Sequence, residues 1–372
     1  WHTIAGLARA GADITLIAPI GPQYEPELVA RELRSFCRPI LQPRPPRTRL
    51  RDAVTAVITK TPVSIIGHRI AAIRDQVGKL LSRETFDLIH AEQLQALANC
   101  GAFARSRPIP LVLRSQNVES DLWRQLALRR PGLRIPLMHE ARRLEQWEAA
   151  AIRGSDAAIA LTKRDAARLT ELAKEPGKVQ CIFAPFPAEL ASKRQPPLPG
   201  EPPIVLFGSS GWLPNQDGTR WFFREIWPTI STRIPGAVLH LFGGRPIGGG
   251  NRSVVWHAAP RESACVFCQG SILVVPLRIA SGIRVKILEA WARGIAVVAT
   301  PQAAEGLEAT DGCELLLARN GDEFAAAVSA AFRNPVLRQA LSDRARALLK
   351  KDHDPQVIAE LLLALYRKCL PS

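Results

Sequence analysis

The sequence predicts an α/β protein built from two doubly wound, Rossmann-like domains. Three observations predict it. Short apolar strands alternate with amphipathic helices along the chain. The alternation breaks once, over residues 185–203, where seven of nineteen residues are proline. It then restarts in the same order. Strand followed by helix, repeated, means a parallel sheet covered on both faces. Proline-dense chain enters neither a helix interior nor a central strand and behaves as a semi-rigid linker. The expected division is a first domain over 1–187, a linker over 188–203, a second domain over 204–353, and a closing helix over 354–372 that returns to the first domain. No repeat of about 20–50 residues is present, which excludes a solenoid.

In the first domain, Ile4, Leu7 and Ala8 have helical spacing, Gly11 stops that helix, and residues 13–18 form an apolar strand. A basic, proline-interrupted loop is expected over 38–51 and one long helix over 63–82. Residues 86–90 read as a strand, 94–105 as a helix, and 110–114 as a strand leaving through Ser115, Gln116, Asn117, Val118 and Glu119. A polar amphipathic helix over 136–152 precedes a strand at 156–161, and Thr162 can cap the helix after it. In the second domain, strands are expected at 204–207, 237–242, 272–277 and 295–300. Helices are expected at 219–230, 283–293 (closed by Gly294), 323–332, 335–349 and 356–367.

The 372 residues are 47% hydrophobic and 22% charged, the balance of a globular protein and not of a disordered or collagen-like one. No apolar run approaches the roughly 18 residues of a membrane span. The only methionine is Met138 and the chain opens inside a helix, so a preceding N-terminal segment is expected to be missing. Lys and Arg number 49 against 34 Asp and Glu, a net charge of +15. That excess attracts phosphates of nucleotides or of anionic headgroups. Nucleic acid is not expected as a partner, because aromatic residues are only 6% and are not interleaved with the basic ones. Seven scattered cysteines fit a reducing, cytoplasmic compartment. Cys265-x-x-Cys268 has only His257 nearby, too few ligands for zinc, and no metal or cofactor is expected.

Ligands of open parallel sheets bind outside the carboxyl ends of the strands. In the second domain these exits are 208–218, 243–250, 278–282 and 301–307. The most informative run is 277–290. Gly282 stands where strand turns into helix, so backbone N–H groups there can face an anion. Arg284 and Lys286 fall in the first helical turn, where the macrodipole disfavours each cation by roughly 0.3–1 kcal/mol. A diphosphate bound there would reverse the sign of that cost; otherwise both side chains reach water or pair with an acid such as Glu305. Glu289, further along, either accepts two vicinal ribose hydroxyls or is an ordinary exposed helix glutamate.

At these residues the sequence resembles the group 1 glycosyltransferases (glycosyltransferase family 4, GT-B fold). HTIAGLARAGADITLIAP, FDLIHAEQ, LRSQNVESDLW and DAAIALTKRDAARL are similar to segments of the family's acceptor domain. VLFGSSGWLPNQDGTRWFFREIWP, VPLRIASGIRVKILEAWARGIAVVATPQAAEGLE and GDEFAAAVSAAFRNPVLRQAL are similar to its donor domain. The resemblance implies two domains facing a central cleft and metal-independent transfer of a hexosyl-type sugar from a nucleotide-diphosphate sugar, with retention. The acceptor implied is a polysaccharide or a lipid-linked glycan. Arg284 and Lys286 would then be catalytic, neutralising the leaving diphosphate. Gly208, Trp212, Asn215, Ser281, Gly282, Glu289, Glu305 and Gly306 would bind the donor, with Glu289 on the ribose. Gln116, Asn117 and Glu119 would lie on the acceptor side.

Three features depart from the family. The Arg and Lys usual after the donor domain's first strand are not visible in 208–217, a charge that Arg284 and Lys286 would supply. Ser281 stands where the first glutamate of its Glu-x7-Glu pattern is usual and supplies no carboxylate. Gln116 replaces a usual His and cannot take up a proton. These departures leave a second reading, a glycosyltransferase-like protein that binds nucleotide or glycan without turnover. An anionic membrane surface is a further expected partner. Residues 38–51 carry five arginines before the first acid, Asp52, and residues 124–134 carry four with no acid, enough for peripheral attachment at the inner face of the cell membrane.

Overall fold

The computed structural model describes all residues except 47, 48, 107, 191–196, 209, 210, 244–252, 261 and 372. The chain forms two compact units, residues 1–185 with 355–372, and residues 186–354.

The first unit runs α1 (His2–Arg9), β1 (Thr15–Ile20), α2 (Pro26–Leu33), β2 (Arg38–Pro43), α3 (Arg49–Thr59), α4 (Val63–Ile66), α5 (Ala71–Arg83), β3 (Ile89–Glu92), α6 (Leu97–Ser106), β4 (Leu111–Ser115), α7 (Glu119–Arg129), α8 (Arg134–Arg153), β5 (Ala157–Ala160), α9 (Lys163–Ala173) and β6 (Val179–Cys181). All its strand pairs are parallel: β1 with β2, and a separate sheet in the order β3-β4-β5-β6. The strands are short, and β4 and β5 are buried throughout. Thr162 caps α9 by accepting the Asp165 backbone N–H, as its side chain predicts.

The second unit runs β7 (Pro203–Phe207), α10 (Leu213–Trp221), α11 (Trp227–Arg233), β8 (Val238–Phe242), β9 (Val254–His257), β10 (Ile272–Val275), α12 (Val285–Ala292), β11 (Ala296–Ala299), α13 (Pro301–Ala304), β12 (Leu316–Leu317), α14 (Gly321–Arg333) and α15 (Pro335–Asp352). Among the described residues its six strands lie in the order β12-β11-β10-β7-β8-β9, all parallel. Numbered from β7, this is the 3-2-1-4-5-6 order of dinucleotide-binding folds. One apolar cluster, around Trp291, Leu288 and Leu273, and another, around Phe222, Ile230 and Phe324, make its two cores. A last helix, α16 (Pro355–Cys369), belongs to the first unit. Its Ile358, Ala359, Leu362 and Leu365 pack with Leu7, Val112, Ile159 and Ile182. A Cβ at Gly6 would sit 3.0 Å from the Pro355 carbonyl oxygen, so glycine permits the close approach of α1 to α16.

Several expected elements differ. The loop expected over 38–51 begins as a strand, β2, because β1 offers it a parallel partner in register from Thr15–Arg38 to Ile20–Pro43. The single helix over 63–82 is two, α4 and α5. The break is held by Asn99, which accepts the Ile70 N–H at 2.8 Å and donates to the His68 carbonyl at 2.9 Å. The helix expected at 219–230 starts earlier, at Leu213, and passes through a π-helical turn over Phe222–Ile226 before α11. Pro228 follows that turn and has no N–H to continue an α ladder. The first strand lies two residues later than expected. The described part of the proline-rich stretch does not stand free: Phe186 is in the second unit's core, Ala188, Leu190 and Leu198 pack on it, and Leu190 N–H reaches the Ala292 carbonyl.

Candidate functional site

Strands β7 and β10 are neighbours in the sheet but not in sequence. Their connections leave in opposite directions, and such a switch point opens a crevice at the strand ends. A small cavity lies there, lined in part by Phe207, Asn215, Gly218, Pro276, Leu277 and Lys286. Gly218 lets α10 approach: a Cβ on it would be 2.5 Å from the Pro276 carbonyl oxygen. A Cβ on Gly208 would be 2.7 Å from the Asn215 side chain. Trp212 is the residue before α10, and buried Asn215 lies in that helix's first turn.

The β10–α12 turn carries the cations. Gly282 has φ +76, a conformation open to glycine and strained for other residues. Arg284 is the N-cap residue of α12 and is buried, and its guanidinium donates to the Gly282 carbonyl. Lys286 reaches across to β7, donating to the Phe207 carbonyl at 2.6 Å and to Asn215 Oδ1 at 3.2 Å. Burial, with the Arg284 charge beside it, lowers the Lys286 ammonium to about 7. Two cations, one helix N-terminus and a titration near neutrality form a site matched to an anion.

Glu289 is buried, not an exposed helix glutamate. Its Oε1 accepts from Ser263 Oγ at 2.6 Å and from Arg293 at 2.9 and 3.1 Å. Ser281 is buried beside the turn. Arg278, at the β10 exit, grips Asp217 of α10 through two bonds of 2.9 and 3.0 Å and lies over the Trp221 ring. Glu305 is exposed at the end of α13, followed by Gly306 with φ +80. The structure thus brings Gly208, Asn215, Arg284 and Lys286 together and holds Glu289 from its own helix face. The exits at 209–210 and 244–250 lie outside the described residues. Sequence reasoning missed Gly218, Asp217, Ser263 and Arg293. Only Arg293 left a signal, its i+4 spacing from Glu289.

In the first unit, the β4 exit is tied into a polar network. Gln93 donates to Gln116 at 2.6 Å, and Gln116 donates to Glu92 at 2.7 Å. Glu92 also accepts from Arg114 and His90, and Tyr366 of α16 bonds to the other His90 nitrogen at 2.8 Å. Burial acts to raise the Glu92 carboxyl, but the His90 bond, the Arg114 charge and Gln116 outweigh it and bring it to about 2. Asn117 donates to Glu119 at 3.4 Å. The Glu119 and Ser120 groups that open α7 are held by buried Glu148 of α8, at 2.6 and 2.5 Å. Burial raises the Glu148 carboxyl to about 8, and the Glu119 charge adds to the rise.

The basic stretches are partly spent within the unit. Arg38 pairs with Glu84 at 2.7 Å, Arg44 bonds to His68, and Arg124 pairs with Asp121 and Glu145. No helix among the described residues is long and apolar enough to cross a membrane.

The comparisons with known proteins agree with this architecture. The sequence signature of the family described as glycosyl transferases group 1 matches residues 202–334, and that of the glycosyl transferase 4-like domain matches residues 1–185. The chain belongs to the group 1 glycosyltransferases and has the GT-B fold of two Rossmann-like domains. Among solved structures it is similar to sucrose-phosphate synthase of Thermosynechococcus elongatus, with 16% identity over 98% of this chain and 91% of that one, at TM-score 0.67. It is also similar to HepE of Anabaena in complex with UDP and glucose, with 14% identity over 98% and 94%, at TM-score 0.65. A third is WaaG, a glycosyltransferase involved in lipopolysaccharide biosynthesis, with 13% identity over 98% and 94%, at TM-score 0.61. No curated protein sequence matches the chain.

Proposed function

We propose that this protein is a retaining, metal-independent glycosyltransferase. It moves a hexosyl-type sugar from a nucleotide-diphosphate sugar to a glycan or lipid-linked acceptor, in the cytoplasm at the inner face of the membrane. The observation that carries the donor half is Lys286, held between the Phe207 carbonyl and Asn215 at the switch point of the second unit. A diphosphate there would meet the Lys286 ammonium, the Arg284 guanidinium and the first N–H groups of α12. As the bond from the anomeric carbon to the phosphate oxygen breaks, these groups take up the developing charge, commonly the largest catalytic contribution. The donor-side set is completed by Gly208, Trp212, Ser281, Gly282, Glu289, Glu305 and Gly306, with Glu289 on the ribose. Gln116, Asn117 and Glu119 face the acceptor as hydrogen-bonding groups, since Gln116 offers no proton acceptor of histidine strength. The solved HepE complexes hold UDP, UDP-glucose, or UDP and glucose, which makes UDP-sugars the first donors to test. Thermal unfolding of the full chain with a panel of nucleotide-sugars is the experiment. A donor at 100 times its Kd adds about 2.7 kcal/mol, and Lys286→Gln removes most of it. Absence of stabilisation by every nucleotide-sugar sinks the donor assignment. Stabilisation without transfer or hydrolysis selects the non-catalytic binding reading, for which Ser281 in place of a carboxylate is the supporting observation.

A further inference from the structure

One oxygen of the Glu289 carboxylate is filled from within the protein. Its Oε1 accepts from Ser263 Oγ at 2.6 Å, from Arg293 Nε at 3.1 Å and from Arg293 Nη2 at 2.9 Å. A carboxylate offers about four lone-pair sites across its two oxygens. Three donors on Oε1 leave no place there for a ligand hydroxyl, and Oε2 takes none of these bonds. Both donor residues are anchored in the same core. Ser263 opens a 3-10 turn, Ser263–Val266, whose Val266 and the Phe267 after it are buried in the apolar cluster around Trp291. The Arg293 guanidinium lies 5.8 Å over the Phe267 ring, and only 10% of its side chain is exposed. The sequence alone suggests one carboxylate receiving two vicinal hydroxyls, and the filled Oε1 leaves room for one. Ser263 supplies the other acceptor. Its hydroxyl gives its single proton to Glu289 and keeps two lone pairs, so it can only accept from a further group. The residue is half-buried, not sealed into the core.

We propose that Ser263 is a specificity-determining residue of the donor site. One ribose hydroxyl donates to Glu289 Oε2 and its neighbour donates to Ser263 Oγ, so the protein selects ribonucleoside-diphosphate sugars over their 2′-deoxy counterparts. A site that hydrogen-bonds a substrate hydroxyl rejects the analogue without it, because a buried polar group is then left without its partner. Arg293 is a positioning residue in this arrangement: by occupying Oε1 it prevents Glu289 from taking both hydroxyls itself. The inference rests on the donor reading above for the place of the nucleotide, and it narrows that reading to a class of donor.

The test is calorimetric titration of the full chain with UDP, GDP and ADP, and then with the 2′-deoxy and 3′-deoxy forms of whichever binds. Wild type is expected to bind each deoxy form about tenfold more weakly than its parent. In Ser263→Ala, discrimination against one deoxy form is expected to vanish while discrimination against the other remains. Ser263→Thr, which keeps the hydroxyl, is expected to restore what Ser263→Ala loses. Each ratio is taken within one variant, so a general loss of affinity from a displaced Glu289 cancels. A merely structural role for Ser263 would leave both ratios as in wild type. The proposal is overturned if both ratios are unchanged in Ser263→Ala, if both are lost together, or if wild type binds the deoxy forms like their parent. Absence of binding by all three diphosphates removes the donor reading and this inference with it. Binding without discrimination leaves the donor reading standing and removes only the division of the ribose between Glu289 and Ser263.

Discussion

Lys286 sets the pH behaviour of the proposed donor site. Its ammonium titrates near 7 in the folded protein against 10.5 in the unfolded chain. Between those values the unfolded state binds more protons, so stability of the ligand-free protein rises with pH over that window and is lowest below 7. Lys286→Gln should flatten this rise, which thermal unfolding between pH 6.5 and pH 9.5 (a span of about three units) will show. Diphosphate binding favours the charged lysine. Donor affinity should therefore fall as pH climbs above about 7 in wild type and stay level in the variant. Equal slopes for the two proteins would remove Lys286 from the site. Glu289→Ala should weaken donor binding by roughly 1.5–3 kcal/mol if the carboxylate holds the ribose. It also releases Ser263 and Arg293, so donor affinity must be compared with the unfolding midpoint of the same variant; unchanged affinity in a folded variant rejects the ribose contact. The cations and Glu289 were legible because they lie within eight residues of Gly282. Asp217 with Arg278 and Ser263 with Glu289 were not, because those pairs are 61 and 26 residues apart and only the fold brings them together.

Elements show the same division between local and long-range information. Helices with a cap and a buried stripe, such as α9 and α14, can be read from their own residues. Strand β2 cannot: Arg38 and Pro43 at its ends read as loop, and only pairing with β1 makes it a strand. Strands β6 and β12 have three and two residues, too few for alternation to register. The apolar residues of α3 fit a helix, but no periodicity tells which face is covered. Helix α7 gives a test at this scale. Its first N–H groups and the Ser120 hydroxyl lean on Glu148, whose folded carboxyl titrates near 8 against 4.5 unfolded. The native state holds the extra proton between those values, so this contribution is present below 4.5 and is lost as pH rises through 8. Glu148→Gln keeps an acceptor for the Glu119 N–H and should be more stable than wild type at pH values above about 8. Glu148→Ala leaves buried donors without an acceptor and should cost about 1–3 kcal/mol. Chemical denaturation of both variants at two pH values checks the sign. On the sheet side, Gly218→Ala forces α10 away from Pro276 and should reduce donor binding by unit 2, readable by calorimetry.

The whole molecule is two units whose chain order is interleaved, because α16 completes the unit that α1 began. The prolines over 185–203 marked the first crossing plainly. The second crossing, at residues 354 and 355, carries no comparable signal beyond Pro355. Truncation after Asp354 exposes Leu7, Val112, Ile159 and Ile182 and removes four buried partners. At about 1.5–3 kcal/mol for each large side chain, this loss is comparable with the whole stability of a typical domain. Limited proteolysis of the truncated chain should digest the first unit and leave a protected fragment close to residues 186–354; equal protection of both would contradict the packing. The same interleaving orders events on the ribosome. Domains commonly fold as they emerge, the N-terminal one first. Here residues 1–185 emerge without α16, and the inserted unit has its full sequence before that helix is synthesised. The later-synthesised unit is thus the first that can mature, and the earlier one waits, with an open apolar face, for residues 355–372 to be made.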